Sequence, residues 1–410
     1  MMRKMISVLL FSGIMVWLVF GLPNVLPNKE MVLHKTVKAN HPTVLSENPV
    51  GASQLLKRLW LDSMFSKLSS ANRINGCVLY AEGEHVLYKR GFGYADFSRK
   101  DSLLPSTAFQ LASVSKVITS TAVLMLVDKG LIDIHKDIKT YLPDVPYQNI
   151  TVENLLEHRS GLPNYVYVAE NYWDKSKAFS NKDIIPLFKN QGLQPSVSPG
   201  KRYQYSNTNY ALLALIVEKV SKMPYAEYLQ KYIFIPLGMK NSFALNMNDS
   251  AQWTKAARGY MPMGKGYKLQ EWDYLDGVVG DKDIFSSVED LFLFANALDK
   301  GLLLKPATYQ LACTPVIDKA HPKKSNYGLG WRIREIASHN VVYHNGWWRG
   351  YKSFFIRLPD KKTTLVVLCN RTNVHLNGML YDMLLYPEKE KSKHTPENRE
   401  EEDNEQTNEL

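Results

Sequence analysis

Apolar, strand-patterned runs stand at both ends of this chain, and helix-patterned segments fill the stretch between them. Near the start, Gly76-Cys77-Val78-Leu79-Tyr80-Ala81 and His85-Val86-Leu87-Tyr88-Lys89 flank Glu82-Gly83-Glu84, which reads as a hairpin. Near the end come Gly330-Trp331-Arg332-Ile333, Val341-Val342-Tyr343, Ser353-Phe354-Phe355-Ile356 and Leu365-Val366-Val367-Leu368. Strands at both ends with helices between them predict an α+β body whose terminal segments share one sheet. Gly91-Phe92-Gly93 follows the first hairpin without the third glycine or the strand-to-helix setting of a dinucleotide fingerprint.

The helices are marked by apolar periodicity and by their end signals. Leu55 to Leu68 carries apolar residues at helical steps. Thr151 with Asn154 begins a short helix that Gly161 and Pro163 stop, and Asp183 to Lys189 is a second short one. Thr208 to Ser221 is strongly apolar, Tyr225 to Ile235 reads as another helix, and a further one starts near Ser286 or Ser287 with Asp290 in its early turns. Cys77, Cys313 and Cys369 cannot all pair. They fit neither a disulfide framework nor a zinc knuckle, and Cys77 and Cys369 read as buried thiols.

The ends are of a different kind. Arg3-Lys4 precede an apolar run to Leu22, so residues 1–22 read as an export signal or an uncleaved membrane anchor with the body outside the cytoplasmic membrane. Residues 23–54 read as a linker, residues 55–386 as the folded domain, and residues 387–410 as a disordered acidic tail. The net charge of +10 comes from scattered lysines and arginines with no basic run among stacking aromatics, which predicts a solvated basic surface and no nucleic-acid partner.

One helical segment carries chemistry. In Phe109-Gln110-Leu111-Ala112-Ser113-Val114-Ser115-Lys116, a serine at a helix start is followed one turn later by a lysine. Residues three apart on a helix are neighbours, so Ser113 and Lys116 can touch. Val114, Val117, Ile118, Thr121, Ala122 and Met125 give the helix one apolar face until Lys129-Gly130 ends it. A serine hydroxyl needs a base, and an amine lodged beside an apolar face loses its proton more readily because burial disfavours charge. Ser113 therefore reads as a nucleophile and Lys116 as its base. Ser198-Pro199-Gly200-Lys201 repeats the string, yet Pro-Gly cannot make the helical turn that joins its ends.

Two further segments extend the site. Tyr203-Gln204-Tyr205-Ser206-Asn207 precedes the Thr208 helix, and in extended chain Tyr205 and Asn207 point the same way. Tyr205 would relay a proton between Ser113 and a leaving group, helped if Lys116 lowers its pKa. His344-Asn345-Gly346-Trp347-Trp348-Arg349 ends the Val341 strand. Gly346 lets another backbone approach, so the N–H of Trp347 would join that of Ser113 in an oxyanion hole. His344 would bond the substrate or Tyr205, and Arg349 would meet an anionic end.

Ser113-x-x-Lys116, Tyr205-x-Asn207 and His344-x-Gly346, in this order, resemble the serine β-lactamase and penicillin-binding-protein superfamily, in its class C-like branch. Leu155 to Pro163, Ile284 to Leu291 and Tyr327 to Trp331 also resemble family segments. The resemblance implies an antiparallel sheet of N- and C-terminal strands flanked by helices, with a mainly helical subdomain inserted and the site in the groove between. It implies an acylated Ser113, proton transfer by Lys116 and Tyr205, and Asn207 holding the substrate or Lys116. No metal or organic cofactor is implied.

The third motif usually begins with lysine in β-lactamases and transpeptidases; here it begins with His344. Histidine is mostly neutral at pH 7, which weakens carboxylate capture and argues against efficient β-lactam hydrolysis. The expected partner is a small-molecule or peptidoglycan-type acyl substrate, an ester or a D-amino-acid peptide. The competing expectations are a catalytically silent wall-binding or sensing protein and a β-lactamase.

Overall fold

In the computed structural model the chain is described at residues 51–246, 254, 256–264, 266–316 and 326–385; the N-terminal apolar segment, most of the linker and the acidic tail lie outside them. The chain opens with helix α1 (Ala52–Ser70) and the hairpin β1 (Gly76–Glu82) and β2 (His85–Phe92). Helix α1 begins inside the stretch read as linker, because its first turn has few apolar residues to mark it. A small hairpin β3 (Tyr94–Asp96) and β4 (Asp101–Ser102) precedes β5 (Phe109–Gln110), the turn Ala112–Val114 and helix α2 (Ser115–Asp128).

The inserted region contains α3 (Val152–Leu156), α4 (Tyr165–Tyr172), α5 (Asn181–Asn190), α6 (Asn207–Ser221), α7 (Tyr225–Leu229) and α8 (Ile235–Leu237). Strands β6 (Phe243–Ala244), β7 (Tyr260–Met263), β8 (Gly266–Leu269) and β9 (Ile284–Ser286) follow, then α9 (Val288–Asp299) and α10 (Pro306–Ala312). The chain closes with β10 (Arg332–Ile336), β11 (His339–Trp348), β12 (Tyr351–Leu358), β13 (Thr363–Cys369) and α11 (Asn377–Leu384), a helix the sequence did not signal.

Among the described residues the terminal strands form one six-stranded antiparallel sheet in the order β10-β11-β12-β13-β1-β2. The first hairpin therefore pairs with the last strand, Val78 opposite Val367. Alternation along β1 splits the core. Val78 and Tyr80 pack with Leu61, Phe65 and Leu68 of α1 and Leu380, Met383 and Leu384 of α11. Cys77 and Leu79 face the larger cluster built from α2, α6 and α9. With both faces covered, β13 can be apolar almost throughout, and Cys77 and Cys369 are buried free thiols.

Helix α2 departs from expectation: every residue from Ser115 to Leu126 is buried, where the sequence implied one apolar face. Its hydroxyls make that possible by bonding to backbone carbonyls, Thr119 to Gly280 (2.6 Å) and Ser120 to Leu329 (2.7 Å). The α3 start carries the expected capping box, with Thr151 and Asn154 serving each other's backbone N–H groups. That helix already ends at Leu156. The helix expected from Tyr225 to Ile235 is interrupted by a π-helical segment, Gln230–Phe234. The strand expected from Gly330 starts at Arg332, because Gly330 takes φ +90° in a turn packed on α2.

Candidate active site

Ser113 lies in the turn between β5 and α2, and Ala112 before it takes φ +48°, a conformation uncommon for a residue with a Cβ. The Ser113 Oγ is 3.1 Å from Lys116 Nζ, one helical turn on, and accepts a hydrogen bond from the Tyr205 hydroxyl at 2.9 Å. Lys116 has no exposed surface. Its Nζ donates to Asn207 Oδ1 (2.8 Å) and to the main-chain carbonyl of Asp281 (2.9 Å).

Burial pushes the Lys116 ammonium down to about 7; the cations Lys282 and Arg332 add to the fall, and the Asp281 carboxylate opposes it. A neutral amine has two N–H bonds and one lone pair. Asn207 and the Asp281 carbonyl take the two N–H bonds, so the lone pair is left for the Ser113 hydroxyl. Burial favours this neutral form, and the geometry leaves its lone pair facing the nucleophile.

Tyr205 is held on both sides by His158. The carbonyl of His158 accepts from the Gln204 N–H (2.7 Å), its Nδ1 accepts from the Ser206 N–H (3.2 Å), and its ring lies 4.2 Å from the Tyr205 ring. Nδ1 also faces Asn209 Nδ2 at 3.0 Å, which fixes the neutral tautomer with hydrogen on Nε2. His158 itself takes φ +56° just beyond α3. The condition that Lys116 lower the Tyr205 pKa is not met: burial pushes the phenol well up, so Tyr205 stays protonated and donates. Asn207, the first residue of α6, is the side chain that links this segment to Lys116.

Gly346 sits where the sequence required close approach. A Cβ there would collide with the Leu111 carbonyl and with Ser353 Oγ, so β11 lies directly against the turn that carries Ser113. Pairing of β10 with β11 ends at Arg332 opposite Tyr343, and Gly346 and Trp347 lie beyond it, on strand paired to β12.

His344 does not bond Tyr205, and both His344 and Arg349 are held by other protein groups. His344 is fully buried, its Nε2 meets the Tyr327 hydroxyl at 3.1 Å, and its Nδ1 meets the Asn345 carbonyl at 2.8 Å. Both nitrogens are thus occupied, and its ring stands 6.5 Å from that of Tyr205 without a bond to it. Burial first, and then Arg332 and Lys116, hold His344 well below its usual pKa, hence neutral. Arg349 pairs with Asp273 and donates to the Glu271 carbonyl (3.0 Å), beside a pocket lined by Gln110, Arg258, Trp272, Asp276 and Trp348.

Sequence reasoning missed the Asp281 carbonyl, His158, Tyr327 and Arg332 as parts of the site. Arg332 is a buried cation whose guanidinium lies 5.6 Å from the Tyr205 ring. The family-like segments Leu155 to Pro163 and Tyr327 to Trp331 held His158 and Tyr327, and Asp281-Lys282-Asp283, three charges between the apolar Val278-Val279 and Ile284-Phe285, was a further signal.

The family model described as Beta-lactamase matches residues 61–383. Penicillin-binding protein 4* of Bacillus subtilis is 36% identical over 326 residues, 77% of this chain and 72% of the relative. The penicillin-binding protein of Bacillus halodurans aligns with a TM-score of 0.69 at 25% identity, covering 78% of this chain and 98% of that one. The D-amino acid amidase of Ochrobactrum anthropi SV3, solved with L-phenylalanine amide, aligns at 0.67 with 26% identity over 82% of this chain and 99% of that one. With the antiparallel sheet and the serine–lysine–tyrosine cluster in place, these matches carry one conclusion: the chain belongs to the Beta-lactamase family.

Proposed function

We propose that this protein is a serine hydrolase that forms an acyl-Ser113 intermediate on an amide, peptide or ester of the D-amino-acid type. The observation that carries the proposal is the meeting of two groups on one atom. Ser113 Oγ lies within hydrogen-bond reach of a buried amine and of a protonated phenol. Neutral Lys116 takes the proton from Ser113, and Oγ attacks the substrate carbonyl. The charge that develops is met by the backbone N–H groups of Ser113 and Trp347. Tyr205 delivers its proton to the departing nitrogen or oxygen and is reprotonated from Lys116, which restores both groups. Water then cleaves the acyl-serine ester.

The likeness to a D-amino acid amidase and to penicillin-binding proteins supports the substrate class. His344 bears on the choice within that class, because a neutral, inward-bonded histidine supplies no fixed cation for a substrate carboxylate, which favours an amide or ester over a β-lactam. The same reading places the enzyme outside the cytoplasmic membrane, carried there by residues 1–22 and acting on small or peptidoglycan-type substrates.

Mass spectrometry of the purified chain after exposure to D-phenylalanine amide, a D-alanyl-D-alanine peptide, a nitrophenyl ester and penicillin tests the proposal. The expected result is an acyl adduct on the peptide containing Ser113 with the first three. No adduct with any of them, or an adduct elsewhere, overturns it, and binding without an adduct turns the case toward a silent binding protein.

A further inference from the structure

Lys282 has 2% of its surface exposed and makes no bond to Ser113, Lys116 or Tyr205. Its Nζ donates to the Leu275 carbonyl (2.7 Å), the Val278 carbonyl (3.1 Å) and Asp283 Oδ2 (2.9 Å), which uses all three of its N–H bonds. It also lies 5.1 Å from the Trp348 ring and 5.9 Å from the Tyr165 ring. Burying a charge costs several kcal/mol unless partners compensate, so a buried lysine that serves only packing would be a poor choice.

The bonds around Lys282 lead to three parts of the site. Asp283 accepts from the Gln110 side chain, on the strand that leads into the Ser113 turn. The next residue of that loop, Ile284, accepts from the Leu111 N–H (2.8 Å) and donates to Ser115 Oγ (3.2 Å). On the other side, Asp276 accepts from the Asp273 N–H (2.6 Å) and from Trp348 Nε1 (3.2 Å), one residue past Trp347 on β11. Directly before Lys282, the Asp281 carbonyl accepts from Lys116, and the Asp281 carboxylate accepts from the Tyr165 hydroxyl (3.0 Å).

We propose that Lys282 is a positioning residue: its ammonium pins the 273–284 loop so that Lys116, the Ser113 turn and the oxyanion edge of β11 keep their mutual spacing. The proposal rests on the acyl-Ser113 reading and adds a residue to it. Lys116 is faced by Ser113, Asn207, Tyr205, Tyr210, Asp281, Lys282 and Arg332, with His158 and His344 behind them. Of these, Lys282 and Arg332 are the cations that favour the neutral amine.

The test follows acylation of Ser113 by a nitrophenyl ester on both sides of neutrality, in wild type, in Lys282→Arg and in Lys282→Met/Asp283→Asn. The double change removes the buried pair together, so neither charge is stranded. It is expected to lower the acylation rate about 10- to 100-fold with KM altered less than about 3-fold. Of the pair removed, Lys282 is the member that lowers the Lys116 pKa, so its loss raises that pKa and the acid limb should move up by about 0.5 to 1 pH unit. Lys282→Arg should restore the position of the limb. A folded double variant with the wild-type rate and limb overturns the proposal.

Should the double variant not fold, Trp348→Phe carries the test, because it removes the indole bond to Asp276 and no charge. A severalfold slower acylation with an unmoved limb is expected, and an unchanged rate overturns the proposal. Wild-type protein that never acquires an acyl group at Ser113 overturns the proposed function instead.

Discussion

Ser113 to Lys116 and Ser198 to Lys201 are one four-residue string in two settings. In the first, a helical turn brings Oγ and Nζ to 3.1 Å, and the lysine is sealed between α2, α6 and the Asp281 loop. In the second, the Lys201 N–H closes a turn on the Ser198 carbonyl at 3.2 Å, and both side chains face water. Burial disfavours the charged form, and of the two lysines only Lys116 is buried. The environment makes the base, and the spelling only permits it. Ser113→Ala should therefore lower ester and amide turnover by at least about 10³-fold, while Ser198→Ala leaves it at the wild-type rate. Initial rates on a nitrophenyl ester, with unchanged circular dichroism, check the pair; equal losses would erase the distinction.

The lysines sharpen the contrast further. Lys116→Met should slow acylation about 10²- to 10⁴-fold, and Lys201→Met should not. In wild type, acylation should rise as pH passes through about 7, where Lys116 loses its proton. Stability carries the same signature with a definite sign. The folded pKa lies below the unfolded value of 10.5, so the unfolded chain binds more protons between about 7 and 10.5, and Lys116 destabilises the fold most at and below neutrality. Lys116→Met removes that cost but leaves Asn207 Oδ1 and the Asp281 carbonyl without their donor, so the net gain is smaller, on the order of 1 kcal/mol. Thermal melts should show the variant ahead near pH 7 and the lead lost as pH approaches 10.5. A variant less stable at every pH would contradict the buried-amine account.

What was legible in the sequence is what depends on near neighbours. The Ser113–Lys116 contact spans one turn, the Thr151–Asn154 box spans three residues, and Ser287 caps α9 by accepting from the Asp290 N–H. The terminal strands were legible because their apolar runs need a shared sheet. The rest depends on partners far apart in the chain. Alternation along β11 puts His344 and Gly346 on one side of the strand, but it cannot say that Tyr327, rather than Tyr205 or a substrate, waits there. Nor does any periodicity tie Arg349 to Asp273. The Thr119 and Ser120 hydroxyls read as polar positions, because their carbonyl partners come from two distant loops.

The two settings also differ in how tightly the surrounding chain closes on them, and one glycine from each measures this. Gly346 is needed for space: a methyl group there would strike the Leu111 carbonyl beside Ser113 and the Ser353 hydroxyl, so Gly346→Ala must move β11 away from the nucleophile turn. The expected cost is about 1–3 kcal/mol of stability and a 10- to 100-fold slower acylation. Gly200 is needed for backbone conformation: it takes φ +77°, and the atom nearest a new Cβ would be Asn154 Nδ2 at 3.8 Å, an ordinary contact. Gly200→Ala should therefore cost about 1 kcal/mol through the left-handed backbone alone. Its N–H bond to the Arg159 carbonyl (2.8 Å) holds the turn in place, and acylation should match wild type. Denaturant melts alongside acylation rates separate the two glycines; a Gly200→Ala enzyme slowed as much as Gly346→Ala would mean that the second Ser-x-x-Lys loop reaches the site after all.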